Sequence, residues 1–322
     1  MFIKPLISFG LISDIQYADV DDAINYRKEK IRHYRNSLNL VKQATQKWHE
    51  EIKENEFKFI LQLGDIIDGK AFKDRMNTLN KVLNELSSDF KTIIPNFSIY
   101  HVWGNHELAN FKRHELVDTE LNSAKHLNNS ISNKANYYKI DLTDDLKILC
   151  LDFYEVSVLG YDKSSIDYND AFNILKQNKP LDNLADNMNK RFHHVNGSIS
   201  RNQFNWLEEQ LLDLKKNNKK AIICGHIPIQ FNSTTSSECL AWDFDELLEL
   251  FKRNKSVVLA YLCGHDHYGG YYKCSETNIH YFTIPSVVEA PADTNSFATV
   301  KIFSNKILIE GIGLIGSYEI PY

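Results

Sequence analysis

The chain has 322 residues, 43% of them hydrophobic and 25% charged, the balance of a globular protein able to bury a sizeable core. A formal charge of −5 gives no electrostatic footprint for nucleic acid, and the chain holds no polybasic cluster for a membrane surface. Composition also excludes disordered, collagen-like and disulfide-scaffold classes; five cysteines without a C-x-x-C pair predict free thiols and a reducing, cytoplasmic compartment.

Residues 6–13 form an apolar run that predicts a first buried strand. The run resembles the core of a secretory signal, but no small-residue cleavage site follows it, and no segment approaches the length of a membrane span. Ile31, Tyr34, Leu38, Val41, Thr45, Trp48 and Ile52 are spaced three and four apart, which predicts a helix with one apolar face. Residues 57–63 predict a second strand, and Met76, Leu79, Val82, Leu83, Leu86 and Phe90 stripe a second helix. With a third strand at 98–103 this is a βαβαβ unit, whose strands should be parallel. The rhythm breaks from about residue 111 to 195, where a strand pair (137–142 and 146–153) precedes a polar, Asn-rich stretch at 161–190. A stretch of that length predicts an inserted cap. Regularity returns with a helix at 203–214 and strands at 221–224, 257–263, 280–284, 298–303 and 307–311. The reading is an α/β protein, one domain over 1–322 with a cap at about 111–195.

Five short clusters each fall directly after a predicted strand. They are Asp14-Ile15-Gln16, Gly64-Asp65-Ile66-Ile67-Asp68, Gly104-Asn105-His106-Glu107, Gly225-His226-Ile227-Pro228 and Gly264-His265-Asp266-His267. Strand carboxyl ends converge in open α/β sheets, so clusters far apart in sequence can meet. Carboxylate, amide oxygen and imidazole without thiolate are hard-to-borderline ligands, suited to Mn, Fe, Zn or Mg. Singly, each cluster reads as a turn, a cap or a core histidine. Five in order, each at a strand end, do not.

This ordered set resembles the metallophosphoesterase (calcineurin-like) superfamily, with its pattern D-x-H, G-D-x-x-D, G-N-H-[DE], G-H, G-H-x-H. The resemblance implies a two-sheet α/β sandwich with a dinuclear metal centre. One ion would take Asp14, Gln16, Asp65 and His267; the other would take Asp65, Asn105, His226 and His265, with Asp65 bridging. Gln16 stands where most members carry His. A neutral amide oxygen tilts that site toward Mn2+ or Mg2+ over Zn2+. Longer stretches, among them 9–19, His33 to Leu38, 157–162, Asn196-Gly197, Gln203, Trp206-Leu207 and Ala241-Trp242, look like the manganese-dependent ADP-ribose/CDP-alcohol diphosphatases, in which Gln at this place is the rule.

That likeness implies hydrolysis of the diphosphate bond in ADP-ribose or in CDP-alcohols such as CDP-choline and CDP-glycerol. His106 would face the scissile ester without ligating metal. Asp68 would pair with its far nitrogen, or else cap the turn that follows. Tyr26, Arg32 and Arg35 are candidates for an aromatic platform and phosphate clamps, or they stand at an ordinary helix start. Tyr271 would border the nucleotide pocket or pack within a strand, Cys239 and Trp242 would lie in a loop near the site, and the stretch at 161–190 would shape the end distal to the metals. The expected partners are small-molecule nucleotide diphosphates, with neither nucleic acid nor membrane, and the expected state is a monomer.

Two readings compete. Gly69-Lys70 after Asp68 lacks the Arg-Gly of phosphoprotein phosphatases, and Gln16 departs from the His that cyclic-nucleotide esterases keep. A non-catalytic scaffold on this fold would lose the histidines that are present here.

Overall fold

Alternating side chains along the strands place two sheets face to face in this computed structural model, which describes residues 4–54, 56–87, 90–94, 96–127, 135–179 and 187–322. The first sheet runs Tyr318–Pro321, Lys306–Gly313, Ser296–Ile302, Ile7–Ile12, Phe57–Gln62, Ser98–His101. Ile7–Ile12 is parallel to Phe57–Gln62, and that strand to Ser98–His101, as the βαβαβ pattern requires. The second sheet runs Gly270–Lys273, His280–Thr283, Val258–Cys263, Lys220–Cys224, Leu146–Cys150, Tyr138–Asp141, its four central strands parallel.

Period-two alternation divides the core. Phe9, Leu11, Phe59 and Leu61 meet Ile148, Ile222, Leu262 and Phe282 between the sheets. Ile12 and Ile60, one register on, face outward and pack with Val41, Ala44 and Trp48 of the helix Asn36–Glu54.

That helix begins later than its periodicity predicts. Ile31–Arg32 pairs instead with Ala23–Ile24 as a small hairpin, with Lys28 at φ 60° in its turn and Ile31 exposed. Asn25 closes the turn by accepting the N–H of Glu29. The second helix ends at Ser87, and Phe90–Ile93 is a separate turn. Ile166–Gln177 and Phe244–Arg253 are helices that periodicity did not single out. Within 111–195, two strands belong to the second sheet, and the buried Arg113 pairs with Asp152 at 2.5 Å (Nη2 to Oδ2). Residues 180–186 of the polar stretch lie outside the described residues. No helix among the described residues is long and apolar enough to cross a membrane.

One buried carboxyl makes stability depend on pH. Asp243 accepts the N–H of Ile199 at 3.2 Å through Oδ2, while its buried Oδ1 has no hydrogen-bond partner. Burial pushes the carboxyl up to about 7. An acid raised in this way contributes stability that is full below about pH 4 and lost as pH rises through about 7. Asp243→Asn keeps an acceptor for Ile199, so it should stabilise the fold by about 1–2 kcal/mol at pH 8 and give no gain at pH 4. Urea unfolding at the two pH values measures the difference.

Candidate metal centre and substrate cavity

Each of the five clusters leaves the carboxyl end of a parallel strand and turns into one cleft at the edge of both sheets. The turns are sharp. Asp14, Gln16, Asp65 and His265 have φ of 50°, 42°, 58° and 69°, a left-handed conformation that costs an L-residue roughly 1–2 kcal/mol. Backbone bonds lock these loops together: Asp14 N–H donates to Gly64 O (3.1 Å), Gln16 N–H to Asp65 O (2.9 Å) and Val288 N–H to Asp14 O (3.2 Å).

Glycines allow the close approach. A Cβ on Gly264 would stand 2.0 Å from Ser13 Oγ and 2.2 Å from Asp14 Oδ2. Gly264→Ala must therefore displace Asp14, and its affinity for divalent metal in calorimetric titration should fall by about tenfold or more.

The structure brings all seven ligand candidates together. Asp14, Asp65 and His226 offer buried ligand atoms within 4.8 Å of one another. Asp65 Oδ2 lies 3.4 Å from His226 Nε2 and 3.1 Å from Gln16 Nε2. His226 Nε2 is 3.3 Å, and His265 Nδ1 3.0 Å, from Asn105 Oδ1. His267 Nε2 is 3.5 Å from Asp14 Oδ1.

Whether these groups suit a cation follows from where their protons must be. His226 donates from Nδ1 to the Leu63 carbonyl at 2.7 Å, which turns Nε2 toward the centre. Asn196 spends its amide nitrogen on the carbonyls of Arg191, Glu238 and Leu240, so its Oδ1 must accept from His265 Nε2, 2.7 Å away. His265 Nδ1 therefore presents a lone pair to the Asn105 oxygen. His267 donates from Nδ1 to Glu289 Oε1 at 2.8 Å, again leaving Nε2 to face inward. Asp14 Oδ1 is buried without a hydrogen-bond partner. Carboxylate oxygens, the Asn105 oxygen and three imidazole nitrogens thus face one another, an arrangement held together by protons here and one that a cation in their place would resolve.

Gln16 fits this set in one orientation only. Its Nε2 points inward, 2.9 Å from His267 Nε2, whereas an amide ligates through oxygen. Turning the amide over would present Oε1 to the centre.

Electrostatics agree with that demand for positive charge. Burial opposes charging of His226, but Asp65 outweighs it and raises the imidazole to about 9. Burial likewise opposes His267, and Asp14 and Glu289 raise it to about 9. Asp65 is pushed up by burial, yet His226 and His106 beside it hold it far below the usual carboxylate range. Burial, with His226 alongside, drives His265 down to about 3, which keeps it neutral.

His106 borders the same centre without entering the cluster, its Nε2 3.9 Å from Asp65 Oδ2. Its Nδ1 accepts the Gly69 N–H at 2.8 Å, so the ring proton sits on Nε2. Asp68, expected to pair with the far nitrogen, stands beside it. That carboxylate stands 3.5 Å from Nδ1, and its Oδ1 caps the turn Gly69–Asp74 by accepting the Lys70 N–H at 2.9 Å. Glu107, quoted in the cluster without a role, accepts three backbone N–H bonds, from Gly104 (2.7 Å), Asp65 (2.8 Å) and Ile66 (2.6 Å). It ties two of the ligand loops together.

A cavity of ≈ 430 Å³ opens over the centre. Its floor includes Gln16, Asp65, Asn105, His106, His265 and His267, and its walls include Tyr26, Arg32, Tyr268 and Cys239. Arg35 and Tyr271 are corrections. Arg35 is exposed and pairs with Asp19 (2.6 Å) and Asp21 (2.7 Å), because the acidic run at 19–22 lies closer than the cavity. Tyr271 points to the other face of its strand, bonding His280 Nδ1 (3.0 Å) and packing on Tyr318 (ring centroids 4.4 Å apart). Trp242 is buried beside the loop. None of the described residues of 161–190 lines the cavity; His193 and Val195, just beyond, do. Asn25, Glu238 and Glu289 also line it and carry no sequence signal, whereas Asp266 lies inside a quoted motif.

The profile of the calcineurin-like phosphoesterases matches residues 7–269. The chain belongs to that family. Its likeness to individual phosphoesterases covers nearly its whole length. It is 35% identical to the manganese-dependent ADP-ribose/CDP-alcohol diphosphatase of Xenopus laevis, over 99% of this chain and 91% of that protein. Identity to the human protein of the same name is 32%, over 96% and 91% of the two chains. A crystal structure described as a dimetal phosphatase from Danio rerio superposes with a TM-score of 0.89 at 30% identity, covering 99% of this chain and all of that one. The two-sheet sandwich expected of a calcineurin-like phosphoesterase is the fold observed.

Proposed function

We propose that this phosphoesterase hydrolyses the diphosphate bond of ADP-ribose and of CDP-alcohols, giving a nucleoside monophosphate and a phosphorylated partner, with two Mn2+ ions. The observation that carries the reading is the gathering of seven oxygen- and nitrogen-bearing side chains, with Asp14, Asp65 and His226 offering atoms within 4.8 Å of one another, beneath a ≈ 430 Å³ cavity that Arg32 also lines. The printed names of relatives aligned over nearly the full chain support the same substrate class and metal.

Asp14, Gln16, Asp65 and His267 would hold one ion and Asp65, Asn105, His226 and His265 the other. Such a pair supplies an activated water and neutralises charge on the phosphoryl oxygens. Arg32 supplies a charged donor for the diphosphate from the cavity wall. His106, with its proton on Nε2, donates a hydrogen bond to the departing phosphate oxygen and stabilises the charge that develops there. Tyr26 and Tyr268 offer flat apolar faces to base or sugar. Asp68 acts by shaping the turn whose Gly69 N–H holds His106. The reading includes a monomer working in the cytoplasm, in keeping with five free cysteines.

Incubation with ADP-ribose, CDP-choline, cyclic AMP and a phosphopeptide at equal Mn2+ tests the substrate class. The expected result is AMP and CMP release from the first two at rates well above the others. Faster hydrolysis of cyclic AMP or the phosphopeptide overturns the assignment within the same family.

A further inference from the structure

Glu289 is a buried carboxylate that no motif announces, on the loop between the strands His280–Thr283 and Ser296–Ile302. Its Oε1 accepts two hydrogen bonds, from His267 Nδ1 at 2.8 Å and from Arg32 Nε at 3.1 Å. Its Oε2 accepts from Asn25 Nδ2 at 3.2 Å. Three segments thus end on one side chain: a ligand loop, the hairpin strand Ile31–Arg32 and the turn of that hairpin. Its own loop is fixed in turn. Val288 N–H donates to Asp14 O at 3.2 Å, and the Val288 carbonyl accepts the His33 N–H at 2.7 Å.

We propose that Glu289 is a positioning residue that couples the metal centre to the phosphate clamp. The bond at His267 Nδ1 sets the ring so that Nε2 faces Asp14 and Gln16. The bond at Arg32 Nε holds the guanidinium on the cavity wall, where its side chain would otherwise sample many rotamers. Because both bonds meet on the same oxygen, moving the carboxylate disturbs both functions together. Partners that orient a metal-ligating histidine typically govern about 10–100-fold in metal affinity. This inference rests on the reading of the cleft as a two-metal phosphohydrolase site.

The test combines Mn2+ calorimetry with steady-state kinetics at saturating Mn2+. Glu289→Ala should bind one of its two ions about 10–100-fold more weakly and, once saturated, should show a raised KM for ADP-ribose with a smaller change in kcat. Arg32→Ala should raise KM and leave Mn2+ affinity at the wild-type value. Glu289→Gln, which retains an acceptor for His267, should recover Mn2+ affinity to within a few-fold, separating position from misfolding. Wild-type Mn2+ affinity in Glu289→Ala, or equal losses in the Ala and Gln variants, would overturn the proposal. A wild-type protein that binds no Mn2+ would instead overturn the two-metal reading beneath it.

Discussion

Replacing His106 with alanine is expected to lower kcat by about 10²–10³-fold while both Mn2+ ions stay bound. The imidazole lines the cavity, and its Nδ1 is occupied by the Gly69 N–H at 2.8 Å. Nε2 is left as the proton-bearing atom, 3.9 Å from the carboxylate of Asp65. A proton held there can hydrogen-bond to the oxygen on which charge develops as the diphosphate bond breaks, and alanine has none to offer. The backbone N–H of residue 106 still donates to Asp65 Oδ1 at 2.8 Å after the substitution, so the ligand loop should keep its place. Metal analysis together with pre-steady-state turnover of ADP-ribose checks both halves. A variant with near wild-type kcat contradicts the role of hydrogen-bond donor, and one that loses metal makes His106 part of the centre's architecture.

Asp65→Asn should be more damaging still, because Asp65 belongs to both halves of the donor set. It faces His226 at 3.4 Å and Gln16 at 3.1 Å through Oδ2, while Oδ1 accepts the His106 N–H at 2.8 Å. Asparagine keeps the volume and an acceptor for that N–H, so folding should survive. It removes the charge that raises His226 and that two cations would share. Under conditions that saturate the wild type, fewer than one Mn2+ per chain should bind and turnover should fall by at least about 10³-fold. Equilibrium dialysis measures the stoichiometry; two ions bound to Asp65→Asn would remove Asp65 from the bridging position.

The five clusters were legible because apolar runs show where each strand ends and glycine precedes four of the five. The parallel order of the first three strands and the core face of Asn36–Glu54 followed from periodicity alone. Direction was not legible. Arg35 and Tyr271 lie near ligand motifs in sequence, yet an acidic run captures one and an aromatic cluster the other. Asp68 does stand 3.5 Å from His106 Nδ1, but the Gly69 N–H that this nitrogen accepts at 2.8 Å has no sequence signal. Nor does any local pattern reveal that Asp14, Gln16, Asp65 and His265 share a left-handed backbone. Such strain becomes visible only once surrounding loops hold it in place. Glu289 and Asn196 orient His267 and His265 from remote loops, and only tertiary structure brings them there.

The central claim is that two metal ions on this donor set make the cleft a diphosphate hydrolase. Titrating Mn2+ into chelator-treated protein while following AMP release from ADP-ribose tests it most directly. The account predicts no release without metal and a rate that rises to a plateau as two ions bind per chain. Metal-independent release, or an inert protein with two Mn2+ bound, would contradict it.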